Sequence, residues 1–126
     1  MEIYSHDSPE TITFKNNWIE LENWIEHFNY INKEISNLLN LSKSELSKIF
    51  DSQPVLLKLE AERERNTEAI DKFLAYKESL PKAAECEDVA CDMFYVGEHE
   101  KFRKAYVLHL KNYRQVKEEY FGILSK

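Results

Sequence analysis

From Trp18 to Leu39 the apolar residues Trp18, Leu21, Trp24, Ile25, Phe28, Ile31, Ile35, Leu38 and Leu39 recur at steps of three and four. That spacing lays one oily stripe along an α-helix and cannot be reconciled with a strand. Upstream, Ser8-Pro9-Glu10 offers a cap oxygen, a proline suited to a first turn and a first-turn carboxylate, so a helix is predicted over about 10–40. A thinner line of Ile12, Ile19, Tyr30 and Leu41 falls on another side of the same helix. It reads as a candidate interaction surface.

Ser42-Lys43-Ser44-Glu45 has the form of a capping box and predicts a short helix over about 43–50. Asp51, Ser52 and Pro54 then announce a second long helix over about 52–80. Its heptad positions read Leu56, Leu59, Arg63, Asn66, Ile70, Phe73, Lys77 and Leu80, apolar at both ends and polar in the middle. Pro81 ends it. A shorter helix over about 83–96 follows, with Val89, Ala90, Met93 and Phe94 expected inward and Gly97 as a break. From about 98 to 124 a third long helix keeps a strict heptad, with Phe102, His109, Val116 and Ile123 in one row and Tyr106, Tyr113 and Tyr120 in the other.

These elements predict an all-α fold: an antiparallel up-down bundle of three long helices, joined by two shorter ones, in a single domain over 1–126. The long helices come out at about 27 to 31 residues, or roughly 40 to 46 Å at 1.5 Å per residue. Composition agrees with this reading. Two glycines and three prolines are too few for the turns of a sandwich or barrel, and 43% apolar residues suffice for a core.

A net charge of -6 disfavours attachment to polyanions, so nucleic acid is not expected as a partner. No stretch is apolar enough for a membrane span, and the N-terminus lacks the layout of a secretory signal, so a cytoplasmic protein is expected. If Cys86 and Cys91 share a helix, their side chains diverge by about 140° at 100° per residue, which argues against a disulfide.

Chemistry-bearing patterns are scarce. No internal histidine follows a glutamate by three residues, so the ligand motif of carboxylate-bridged di-metal bundles is missing, and the two cysteines lack a second pair for zinc. No glycine-rich loop is present to cradle a phosphate. Acidic neighbours Glu85, Glu87, Asp88 and Asp92 work against a reactive thiolate. Accordingly no catalytic residue, metal ligand or cofactor is expected.

Two constellations remain. Arg63 and Asn66, with Tyr106, His109 and Tyr113 from the last helix, would make a polar interior pocket if they met. Charge is also segregated: residues 85–100 hold six acids and no base, whereas 101–117 hold Lys101, Arg103, Lys104, Lys111, Arg114 and Lys117 and no acid. The simplest reading pairs this basic helix with the acidic first and short helices of its own bundle; the other makes Lys101, Lys104, Lys111 and Arg114 candidates for a docking surface. The leading expectation is a non-enzymatic interaction or regulatory module, with a protein partner or a second copy of itself. The alternatives are a small-molecule or catalytic bundle and, more weakly, nucleic-acid binding through the last helix.

Overall fold

The computed structural model describes residues 1–126. Helix α1 spans Pro9–Lys43, α2 Ser47–Phe50, α3 Pro54–Ser79 and α4 Val89–Leu124, with a 3-10 turn at Leu80–Glu85 between the last two. The fold is all-α, a bundle of three long helices. Cross-helix contacts fix their directions. Glu22 meets Lys77 and Lys43 meets Glu60, so α3 runs antiparallel to α1; Glu20 meets His99 and Glu34 meets Lys117, so α4 returns parallel to α1.

The oily stripe of α1 is the spine of the core, with Phe28 and Ile35 wholly buried. The Phe28 ring packs edge-on against Phe73 of α3 at 4.9 Å and against His109 of α4 at 5.1 Å, so one residue touches both partner helices. At the far end Tyr120 stacks on Phe50 at 4.3 Å and donates its hydroxyl to the Leu38 carbonyl at 2.9 Å. Aromatic pairs of this kind add to area burial and fix orientation.

Several elements depart from the sequence expectation. The Ser42 hydroxyl does not cap a new helix; it bonds back to the Leu38 and Leu39 carbonyls at 2.8 and 3.0 Å. A serine can satisfy itself on the preceding turn, and burial of Leu38, Leu39 and Ser42 carries the stripe onward. So α1 continues to Lys43 and the short helix starts only at Ser47. Likewise no separate helix occupies 83–96. Asp88 caps α4 by accepting from the Cys91 amide at 2.8 Å, and the helix then runs unbroken through Gly97. Gly97 lies on the outer face, where a Cβ would meet nothing within 4 Å, so no steric demand forces a break. Val89, Ala90, Met93 and Phe94, expected inward, are all exposed.

The three long helices are also unequal, at 35, 26 and 36 residues. Beyond the end of α3 the 3-10 turn takes its place, with Leu80 buried and Ala83 packed beside the core. The seam of α3 is Val55, Leu59, Glu62, Asn66, Ala69, Phe73, Tyr76 and Leu80, as regular as the Arg63 and Lys77 seam it replaces. Turning that row by one position exchanges Lys77 for Tyr76, which lowers the desolvation cost there, but exchanges Arg63 for Glu62, so a charge stays in the seam.

The cysteines are a further correction. Cys86 and Cys91 form a disulfide with a Cα separation of 5.5 Å. The helical divergence does not apply, because Cys86 has extended backbone after the 3-10 turn and only Cys91 is helical. No helix is long and apolar enough to cross a membrane.

Candidate functional site

The interior is crossed by polar chains that join α4 to the other helices. Asn66, with no exposed surface, sits at the middle of α3. Its Nδ2 donates to the Phe28 carbonyl at 2.7 Å and to Asn32 Oδ1 at 2.8 Å. Because Nδ2 is thereby used, its Oδ1 accepts from His109 Nε2–H, also at 2.8 Å. Of the expected interior pocket, then, Asn66 and His109 do meet. Arg63 does not join them: it is exposed, near Glu64, Thr67 and Glu68 on the outer side of α3.

Tyr106 and Tyr113 each serve a different polar pair. The Tyr106 hydroxyl lies 2.7 Å from His27 Nδ1, while Tyr113 donates to Glu34 at 2.5 Å, a carboxylate that also receives Lys117 at 2.8 Å. Burial, reinforced by the carboxylate it donates to, pushes the Tyr113 hydroxyl far above the usual phenol range. Burial also raises the Tyr106 hydroxyl. Neither phenol is prepared to ionise.

A second chain was missed by sequence reasoning. Tyr76 donates its hydroxyl to His99 Nδ1 at 2.6 Å, and His99 Nε2–H donates to Glu20 Oε1 at 2.7 Å. Arg103 holds the same carboxylate at 2.6 Å. The signal was present: His99 lies one heptad before Tyr106 in the row that continues through Tyr113 and Tyr120. Hydroxyl, imidazole and carboxylate in line is the arrangement that activates nucleophiles. Here the Tyr76 side chain is buried and stacked on Phe102 at 4.2 Å, which closes its hydroxyl off from solvent, and burial drives that hydroxyl well above the ordinary phenol range. Burial also holds the His99 imidazole below its ordinary pKa, against the pull of Glu20. For Glu20 burial acts to raise the pKa, but hydrogen bonds from Arg103 and His99 outweigh it and leave the carboxyl below its usual range.

One buried group lacks a partner. Glu62 is 2% exposed; Arg65 binds its Oε1, and Oε2 meets no donor. Elsewhere a cleft of about 250 Å³ opens beside His109 between α3 and α4, lined by Arg65, Glu68, Lys72 and Ala105 among others. Another of about 210 Å³ lies between the start of α1, the 3-10 turn and the start of α4, over Phe14, Leu80 and Tyr95. No three His, Cys, Asp or Glu side chains converge as metal ligands would.

The candidate surfaces are distributed as follows. Tyr30 and Leu41 are exposed and Ile12 and Ile19 half-buried, strung along the length of α1 without forming a single patch. On α4, Lys101, Lys104, Lys111 and Arg114 all face solvent. Lys101 pairs with Glu98, and the bundle's own acids take Arg103 and Lys117; Lys104, Lys111 and Arg114 pair with no carboxylate. Between them Val107 and Leu108 are each 58% exposed. Toward the helix start, Val89, Met93 and Val96 stand on the same outer side, each more than half exposed. No protein-family model, curated protein or solved structure matches this chain, so these surfaces and chains of hydrogen bonds are the grounds on which its function is read.

Proposed function

We propose that this protein is a non-enzymatic interaction module that works through the outer face of α4. One observation carries the reading: Lys104, Lys111 and Arg114, free of ion pairs, frame Val107 and Leu108, which lie open to water. Buried polar chains elsewhere are spent on holding the helices together. An exposed apolar spot ringed by unpaired like charges suits a docking surface, where apolar contact supplies affinity and the rim supplies selection. The chemistry of the partner follows from the rim: an α-helical protein segment whose apolar residues are interleaved with Asp and Glu.

A synthetic acidic amphipathic peptide of Leu, Glu and Ala at helical spacing is the probe. Titrated into the isotopically labelled protein, it is expected to shift amide signals of residues 104–114 and to lose this effect in Leu108→Asp, whose circular dichroism should match the parent. Shifts scattered over the bundle, or centred on the cleft beside His109, would overturn the reading. Binding of an RNA oligonucleotide to the same face at moderate salt, without peptide binding, would replace it with nucleic-acid recognition.

A further inference from the structure

The outer face of α4 carries its own complement. Along the side turned away from the core run Val89, Met93, Val96, Glu100, Lys104, Val107, Lys111 and Arg114, at steps of three and four, the spacing of a helix-packing seam. On the strip itself Glu100 is the acid of the first half, with the exposed Asp92 at its flank, and Lys104, Lys111 and Arg114 are the bases of the second. Such a strip repels a parallel copy of itself and attracts an antiparallel one.

Resting on the reading of this face as a docking surface, we infer that its partner is a second copy of the chain, with the two α4 helices packed antiparallel about a two-fold axis beside residue 102. That axis sets Glu100 of one copy opposite Lys104 of the other and Met93 opposite the stem of Lys111. It sets Val96 and Gly97 opposite Val107 and Leu108. Gly97, with open space where a Cβ would stand, lets the helices approach closely beside Leu108. Because the interface is isologous, each favourable pair occurs twice. From Val89 to Arg114 the strip is about 38 Å long at 1.5 Å per residue. One helix pair of this length buries little beside a standard interface, so the dimer should dissociate in the micromolar range.

The test uses the full chain and sedimentation equilibrium from low to high micromolar concentration. The parent is expected to pass from monomer to dimer. Glu100→Lys and Lys104→Glu should each weaken association by about tenfold or more, since like charges then face each other twice. Mixed in equal amounts, the two variants should form a heterodimer of parental affinity, because each supplies the charge the other needs. Effects confined to one chain, such as loss of the Glu100 contact with Arg103, are not repaired by mixing. A parent that stays monomeric while the acidic peptide still binds residues 104–114 overturns the second copy as partner and leaves the docking reading intact. A monomer that also ignores the peptide overturns both. A dimer insensitive to these charges, or variants that fail to recombine, overturns the antiparallel register.

Discussion

His109 donates from Nε2 to Oδ1 of Asn66 across 2.8 Å, so a ring on α4 is set by an amide on α3 that is itself bound to the α1 backbone at Phe28. One buried side chain thereby ties all three long helices at a single level. Replacing it leaves the Asn32 amide and the His109 N–H without their partner. Asn66→Ala is therefore expected to cost about 2 to 4 kcal/mol, combining lost hydrogen bonds with a small cavity. Urea unfolding followed by circular dichroism measures it; a loss below about 0.5 kcal/mol would show that the amide is not buried as described.

Acid should weaken the fold in two stages. Burial holds His27, His99 and His109 below the ordinary imidazole value, and nearby Arg114 adds to the effect at His27. Below about pH 6.5 the unfolded chain therefore takes up protons that the folded chain declines, so stability present above that pH is lost as pH falls. At His99 a second proton would land on Nδ1, where Tyr76 now donates. Glu20 and Glu34 are held below the usual carboxylate range by their donors despite burial, so stability falls again below about pH 4.5. The urea midpoint should drop between about pH 7.5 and 5.5 before any carboxylate titrates. A flat midpoint over that interval would contradict the neutral, buried imidazoles.

How far the chain is legible follows from the same residues. The α1 stripe and the tyrosine row of α4 declare their inward faces because periodicity is a local property, and both are observed. The α3 seam is not settled locally: the row of Leu56, Arg63, Ile70 and Lys77 is as regular as the inward row of Val55, Glu62, Ala69 and Tyr76, each row carries charge, and on desolvation only the exchange of Lys77 for Tyr76 favours the observed one. Gly97 and the Ser42 box are local stop and start signals overridden by burial on either side. The pairing of Asn66 with His109 was readable from their heptad positions. The Tyr76, His99 and Glu20 chain required knowing that α1 and α4 run parallel in register, which no single helix reveals.

Glu62 is expected to reduce stability. Its carboxylate is buried with Oε2 unpartnered, and its one pair is to Arg65, whose side chain is mostly in solvent. A desolvated charge so poorly compensated costs more than its single contact returns. Glu62→Leu, which keeps the shape of the seam, should be neutral or should stabilise by about 1 kcal/mol, with the melting temperature rising accordingly. A clear drop in melting temperature would mean that the carboxylate has a second donor or a packing role that leucine does not fill.

The disulfide joins the end of the 3-10 turn to the first turn of α4, where Asp88 caps the helix between the two cysteines. The bridge closes a small loop, so its effect through the unfolded chain is about 2 kcal/mol in the loop-entropy description. Its structural reach is local. The turns from Val89 to Gly97 have an exposed outer side, and their inward packing rests on Tyr95, which is half-buried. Reduction should therefore fray residues 86–97 first and leave the tyrosine row from Tyr106 onward protected. Hydrogen exchange of the full chain with and without a thiol reductant, or of Cys86→Ala with Cys91→Ala, reads this directly. Uniform acceleration throughout α4 would show instead that the bridge supports the whole bundle. No change near Asp88 would show that the cap alone holds the start of the helix.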